Sequence, residues 1–240
     1  MCIRDSLTSM KNILGIDGSK SGWVGVKQSS KQEGNLEILF NNKLIDFLSP
    51  DIDLIIIDMP VGLDRNIQQG GRLVDKEARK RLLKRKSSIF NAPIRDVLKA
   101  KSYNEANTIS KNKGLGISKQ SWNLIPKINE LDQILQIKIR PQIYESHPEL
   151  CFQIMNDGAL KFSKKEKLGI KERKNILIKN GFDKKFLDNN LKKNKNFLSD
   201  DFLDACALSW TAKRIINEQN INLPEDPEKD ELGIIMQMKV

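Results

Sequence analysis

Two stretches, Asn12-Ile-Leu-Gly-Ile-Asp17-Gly18 and Asp53-Leu-Ile-Ile-Ile-Asp58-Met-Pro60, decide the reading of this chain. Each is a short apolar run that ends on an aspartate. Continuous Ile/Leu runs of this kind suit strands covered on both faces, as in parallel sheets. A carboxylate at the mouth of such a strand loses hydration and needs a cation or hydrogen-bond donors in return. Two such strands side by side set two carboxylates against each other, and a divalent metal between them relieves the repulsion. Paired strand-end acids of this kind are the expected working end of a metal-dependent, phosphodiester-cleaving fold.

Outward from Asp17, Gly18-Ser-Lys-Ser-Gly22 reads as a turn and Trp23–Lys27 as a returning strand, so the first two strands form a hairpin. Gly34-Asn35 breaks the chain before a third strand, Leu36–Phe40, with alternating pattern. Lys43–Leu48 reads as a short helix ahead of the buried strand Leu54–Ile57. Three meandering strands, a helix and a parallel strand predict an α/β fold with an RNase H-like mixed sheet and helices on both faces. A helical insertion is expected over about 63–138, with a basic helix Leu73–Lys86 and further helices Tyr103–Lys113 and Lys119–Ile137. Pro141–Glu145 is the next strand, after which His147-Pro148 turns the chain. Polar helices fill 163–196, and the last long helix, Asp200–Glu218, is buried from Phe202 to Trp210. Gly233–Val240 supplies a terminal strand. Residues 11–240 are expected to form one domain. Residues 1–10 read as a leader or an assembly scar ahead of a second start at Met10.

With 39% hydrophobic and 30% charged residues, the composition is that of a globular protein. No run approaches the ~18 apolar residues of a membrane span, and the first residues lack the apolar region of a signal peptide. Cys2, Cys151 and Cys206 are scattered, without disulfide or zinc spacing, which points to a reducing, cytoplasmic setting. Cys206 reads as a small core residue in an apolar helix. A net charge of +10 favours a polyanionic partner, nucleic acid first. Lysine, asparagine and isoleucine are abundant throughout, as an AT-rich coding sequence gives, and that bias alone inflates the lysine count.

Two further acidic elements complete the set. Ser199-Asp-Asp-Phe-Leu-Asp204 opens the last helix, and Asp201 and Asp204, three apart, share one face. The helix dipole and capping explain acids in a first turn, but not Asp204, one turn in. Ile143-Tyr-Glu145-Ser-His147-Pro-Glu149 delivers Glu145 at a strand end. Asp17, Asp58, Glu145, Asp201 and Asp204 are therefore the expected metal ligands, with Asp17, Asp58, Glu145 and Asp204 the catalytic acids. Oxygen-only ligation selects Mg²⁺ or Mn²⁺. His147, the only histidine, has neither a nucleophile elbow nor a zinc ligand set around it; it is a structural hydrogen-bonder or an auxiliary group near the metal. Arg79, Arg85, Ser88, Arg95, Gln120 and Lys127 either grip phosphates or form ordinary solvated faces. Aromatic residues are only 6%, so stacking platforms are sparse, and Trp23 and Trp122 read more easily as core.

The motifs run in a series. Gly15-Ile-Asp17-Gly…Gly22-Trp23-Val is followed by Ile57-Asp58-Met-Pro60-Val-Gly62-Leu and Asp75-Lys-Glu-Ala-Arg79. Arg85-Lys-Ser-Ser88-Ile-Phe90…Pro93-Ile-Arg95, Gly116-Ile-Ser118-Lys-Gln120 and Pro126-Lys127-Ile128-Asn-Glu130-Leu-Asp132 come next. Glu145-Ser-His147-Pro148-Glu149, Gly169…Glu172-Arg173, Asp200-Asp201…Asp204-Ala-Cys-Ala and Asp230-Glu-Leu-Gly233-Ile-Ile-Met close it. From about residue 12 onward the series resembles an uncharacterised bacterial and archaeal family of predicted RNase H-like nucleases. The resemblance implies an RNase H-like domain whose strand-end and last-helix acids bind metal, here Asp17, Asp58 and Asp204 or Asp201. Resolvases of that superfamily carry Glu on the fourth strand where this chain has Asp58, which shortens the reach to a metal.

Three functions follow as expectations. The first is a divalent-metal nuclease acting on RNA, DNA or a junction. The second is a binding or regulatory module that keeps the fold without chemistry. The third is an actin-like sugar kinase or ATPase, which also begins with a strand-end Asp and a glycine turn; its second phosphate motif and second lobe are not visible in the sequence.

Overall fold

A seven-stranded mixed sheet organises the computed structural model, which describes residues 11–29, 35–66, 68–137, 141–192 and 194–240. Its strands are β1 (Asn12–Ser19), β2 (Gly22–Ser29), β3 (Leu36–Asn41), β4 (Leu54–Ile57), β5 (Gln142–Glu145), β6 (Asn222–Lys229) and β7 (Ile235–Lys239). They lie in the order β3-β2-β1-β4-β5-β7-β6. β1, β2 and β3 are antiparallel neighbours, β1, β4, β5 and β7 run parallel, and β6 returns antiparallel on β7. The mixed α/β sheet with an antiparallel opening matches the sequence expectation. The leader or scar assigned to residues 1–10 lies outside the described residues, as does Cys2.

Seven α-helices accompany the sheet among the described residues: α1 (Leu73–Arg81), α2 (Tyr103–Asn112), α3 (Lys119–Gln136), α4 (Pro148–Met155), α5 (Lys167–Lys179), α6 (Lys184–Asn190) and α7 (Ser199–Ile216). The first three lie between β4 and β5 in the chain. None of the seven is long and apolar enough to cross a membrane. Three elements differ from expectation. The basic helix stops at Arg81, where Leu82 becomes extended and Arg85 takes a left-handed conformation with φ 57°. His147-Pro148 starts α4 instead of a loop, because proline at the first helical position has no amide to lose and a preset φ. Strand β6 carries two prolines and five polar or charged residues out of eight, and sits at the sheet edge, where a proline costs no ladder bond.

Both faces of the central strands are buried, as their continuous apolar runs require. Ile13, Leu54 and Ile56 pack with Leu150, Leu177 and Phe202 of α4, α5 and α7. Leu14, Ile16, Ile55 and Ile57 pack on the other side with Ile128 and Leu131 of α3. Each such side chain stabilises the fold by ~1.5–3 kcal/mol on leaving water. Helix α7 lies so close on β1 that a Cβ at Gly15 would stand 2.1 Å from the Ser209 amide nitrogen and 2.4 Å from the Ala205 carbonyl oxygen. Glycine is the only residue that permits this approach. The approach fixes where the start of α7 meets the end of β1. Cys151 and Cys206 are buried in this layer and unpaired.

Candidate functional site

Asp17, Asp58 and Asp204 lie at the end of the parallel strands, near enough for their charges to act on one another. Asp17 lies near the end of β1, opposite Val24, and is 7% exposed. Its Oδ1 accepts the Gly18 amide at 2.7 Å. Asp58 is the residue after β4, and its amide donates to the Ile16 carbonyl at 3.1 Å, which places it beside β1. Asp204, in the second turn of α7, is 1% exposed. Burial raises the Asp17 carboxyl well above its ordinary range, and the charges of Asp58 and then Asp204 raise it further. Burial pushes Asp58 up to about 6, against the pull of Lys164. Burial likewise pushes Asp204 to about 6, again opposed by Lys164. Asp201 stands at the rim; desolvation raises it to about 6, while its Oδ2 caps α7 by accepting the Leu198 amide at 2.9 Å.

A cation that the sequence reading missed completes the cluster. The Lys164 ammonium sits 2.6 Å from Asp204 Oδ2, with the charges of Asp17 and Asp58 also acting on it. The attraction of Asp204 holds it protonated far above its ordinary range. The loop that carries it is clamped. Arg85 donates to the carbonyls of Leu160 (3.3 Å) and Phe162 (2.5 Å), and Arg173 donates to Phe162 (3.3 Å). Glu172 accepts the amides of Lys161 (2.9 Å) and Phe162 (3.0 Å). A Cβ at Gly169 would lie 1.7 Å from the Ser163 carbonyl oxygen, so α5 and the loop touch backbone to backbone. Gly169, Glu172 and Arg173 stood in the sequence as a motif without a role; the structure gives them that of seating Lys164.

Glu145, expected among the metal ligands, is placed differently. It borders the same small space as Asp58, but Arg72 takes both its oxygens (2.7 and 3.0 Å), and the Val61 amide donates to it at 2.8 Å. Arg72 also binds Asp75, at 2.7 Å, in a fully buried triad. Glu145 is thus a structural counter-ion and does not belong to the acidic cluster. His147 caps the start of α4 in extended conformation, and burial lowers it to about 4, so it is neutral at physiological pH. Its Nε2 lies 3.4 Å from Ser88 Oγ, and its Nδ1 is buried without a partner.

The expected phosphate-gripping residues are largely committed inside the fold. Arg79 bonds the carbonyls of Ile89 and Gly70 and the Asn91 side chain. Arg95 ties α3 to the β6–β7 turn through Asp132 (3.0 Å), Asp230 and Glu231. Lys127 is the one of the set beside the acids. Its ammonium stands 4.3 Å from the Trp23 ring centroid and donates to the Gly22 carbonyl, and the charges of Asp17 and Asp201 act on it. Trp23 is core, with its indole N–H on Glu130 at 2.9 Å. Gln120 is exposed and lines a cavity discussed below.

Among the described residues, no three His, Cys, Asp or Glu side chains are spaced as they stand to hold a metal ion. Their chemistry nevertheless fits a hard divalent cation. Asp204 Oδ1 is buried without a partner, and the Asp58 carboxylate accepts no hydrogen bond from the described residues. Asp17 and Asp204 are buried and Asp58 half-buried; desolvation raises all three carboxyls, and Lys164 is the only cation in contact with them among the described residues.

Fold and site together define a mixed α/β protein with an oxygen-lined acidic centre at the ends of its parallel strands. The chain belongs to the family described as protein of unknown function (DUF429), whose family model matches residues 15–229. No curated protein and no solved structure matches it.

Proposed function

We propose that the protein is a divalent-metal-dependent, RNase H-like nuclease that hydrolyses a nucleic-acid phosphodiester. The observation that carries this reading is the mutual electrostatic influence of Asp17, Asp58 and Asp204, from two adjacent parallel strands and the helix packed on the first. The sheet order supports the RNase H-like assignment, with an antiparallel β1–β3 followed by the parallel strands β4 and β5. Asp17, Asp58 and Asp204 would hold Mg²⁺ or Mn²⁺, which supplies an activated water and charge stabilisation at the leaving oxygen. Lys164 and Lys127 bring positive charge to the cluster and can neutralise non-bridging phosphate oxygens. Net charge +10 supports a polyanionic substrate. Two buried, unpaired thiols support a reducing, cytoplasmic setting.

The Lys164–Asp204 pair favours a second reading, a nucleic-acid-binding module in which lysine permanently takes the place of metal. Cleavage of labelled RNA, DNA, hybrid and junction substrates with added Mn²⁺ or Mg²⁺ separates the two. The nuclease reading requires metal-dependent cleavage that Asp17→Asn abolishes while the fold survives. Cleavage that persists in Asp17→Asn refutes the assigned centre.

A further inference from the structure

A cavity of about 290 Å³ lies next to the acidic site. It shares Ile89 and Phe90 with the small space, about 20 Å³, that Asp58 and His147 border. Its walls come from Arg79 of α1 and the segments 87–93 and 115–121, and its lining residues include no carboxylate. The one cation in them, Arg79, is committed to two carbonyls and to Asn91 Oδ1. Phe90, Ile117 and Leu115 supply apolar surface. The Ser87 hydroxyl, the Asn91 amide nitrogen and the Gln120 amide have no hydrogen-bond partner among the described residues, so three neutral polar groups are free to meet a ligand.

Such a lining selects a flat, uncharged, heteroaromatic group with donors and acceptors on its edge. The size stands at the lower bound of small-molecule sites, roughly 300 Å³, which suits one base and excludes a base pair. Lys86 and Lys119 are exposed beside Ser87 and Gln120 in the chain, and neither has a carboxylate partner among the described residues. They set positive charge at the rim, where a phosphate backbone passes.

We infer that this cavity takes one unstacked nucleobase of a single strand whose backbone continues to the acidic site. The base follows from the cavity itself; the course of the backbone rests on the nuclease reading. Single-stranded or looped substrates are therefore favoured over intact duplex.

The test uses full-length Asp17→Asn protein without metal, so that cleavage plays no part. Fluorescent single-stranded RNA and DNA oligonucleotides and a blunt duplex are titrated by anisotropy, with nucleoside monophosphates and ribose 5-phosphate as competitors. Single strands bind more tightly than duplex, and nucleoside monophosphates compete while ribose 5-phosphate does not. Adding Ser87→Trp, which fills the cavity from an exposed position, weakens single-strand binding by about tenfold, within the range one stacked base contributes. Gln120→Ala, an exposed side chain with no internal partner, weakens it less and unequally among the four bases, which guards against a misfolded tryptophan variant. Monophosphates binding as tightly as the oligonucleotides support the base and assign its source to free nucleotide. Unchanged affinity in both variants, or equal competition by ribose 5-phosphate, overturns the inference. Strand binding through the cavity in the Asp17→Asn protein, together with a wild type that cleaves nothing with Mn²⁺, retires the nuclease reading and keeps this one.

Discussion

Asp204→Asn should reshape the pH dependence of stability in a calculable way. In the folded protein Asp204 titrates at about 6, against 3.8 when solvated, chiefly because burial penalises its charge. The folded state therefore keeps its proton where the unfolded chain releases it. Below about pH 4 both states are protonated and the penalty is absent. Between about pH 4 and 6 stability falls as the unfolded state ionises first, and above that it levels off. At 1.36 kcal/mol per pH unit, the gap is worth about 3 kcal/mol. Lys164 stays charged throughout this window, so it does not distort the comparison. Asparagine keeps the shape and removes the titration. Urea unfolding followed by tryptophan fluorescence should show the variant gaining on wild type by about 3 kcal/mol between pH 4 and pH 7. Relief of Asp17, which Asp204 also raises, acts in the same direction. A stability difference that stays flat across the window, or falls, refutes the claim that the acids are buried in uncompensated excess.

Other substitutions probe the supports of the site. Arg72→Met leaves Asp75 and Glu145 buried without their cation and should cost about 3–5 kcal/mol in denaturant unfolding, while leaving the midpoint unchanged would show the triad to be solvated. Gly15→Ala drives a methyl into the α7 backbone and should cost about 1–3 kcal/mol or more by the same assay; a neutral outcome would mean α7 does not sit on β1. Lys164→Met removes the resident ammonium, so Mn²⁺ should bind more tightly to the variant, read by calorimetry; weaker binding would show that Lys164 does not compete for the acids.

Asp17 and Asp58 were legible because a buried strand leaves few reasons to end on a carboxylate, and both strands were plain from their apolar runs. Asp204 was legible because neither capping nor the helix dipole accounts for an acid in a second turn. Glu145 followed the same strand-end rule and misled, since its counter-ion, Arg72, lies 73 residues away in sequence and reads locally as one more residue of a basic stretch. Lys164 was invisible for a similar reason. It sits in the run Lys161-Phe-Ser-Lys-Lys-Glu-Lys167, where any lysine looks like any other, and only the clamp from Arg85, Arg173 and Gly169 singles it out. Strand β6 was missed because two prolines and a run of charges contradict β propensity, and only an edge position tolerates them.

The most direct test of the central claim is calorimetric titration of Mn²⁺ into wild-type and Asp17→Asn protein at neutral pH, in two buffers of different ionisation enthalpy. The wild type should bind the ion at sub-millimolar concentration and release protons as the carboxyl of Asp17, raised well above its ordinary range, ionises, and the variant should bind far more weakly. Saturation absent at millimolar Mn²⁺ in the wild type, or the same affinity in both proteins, would contradict the account.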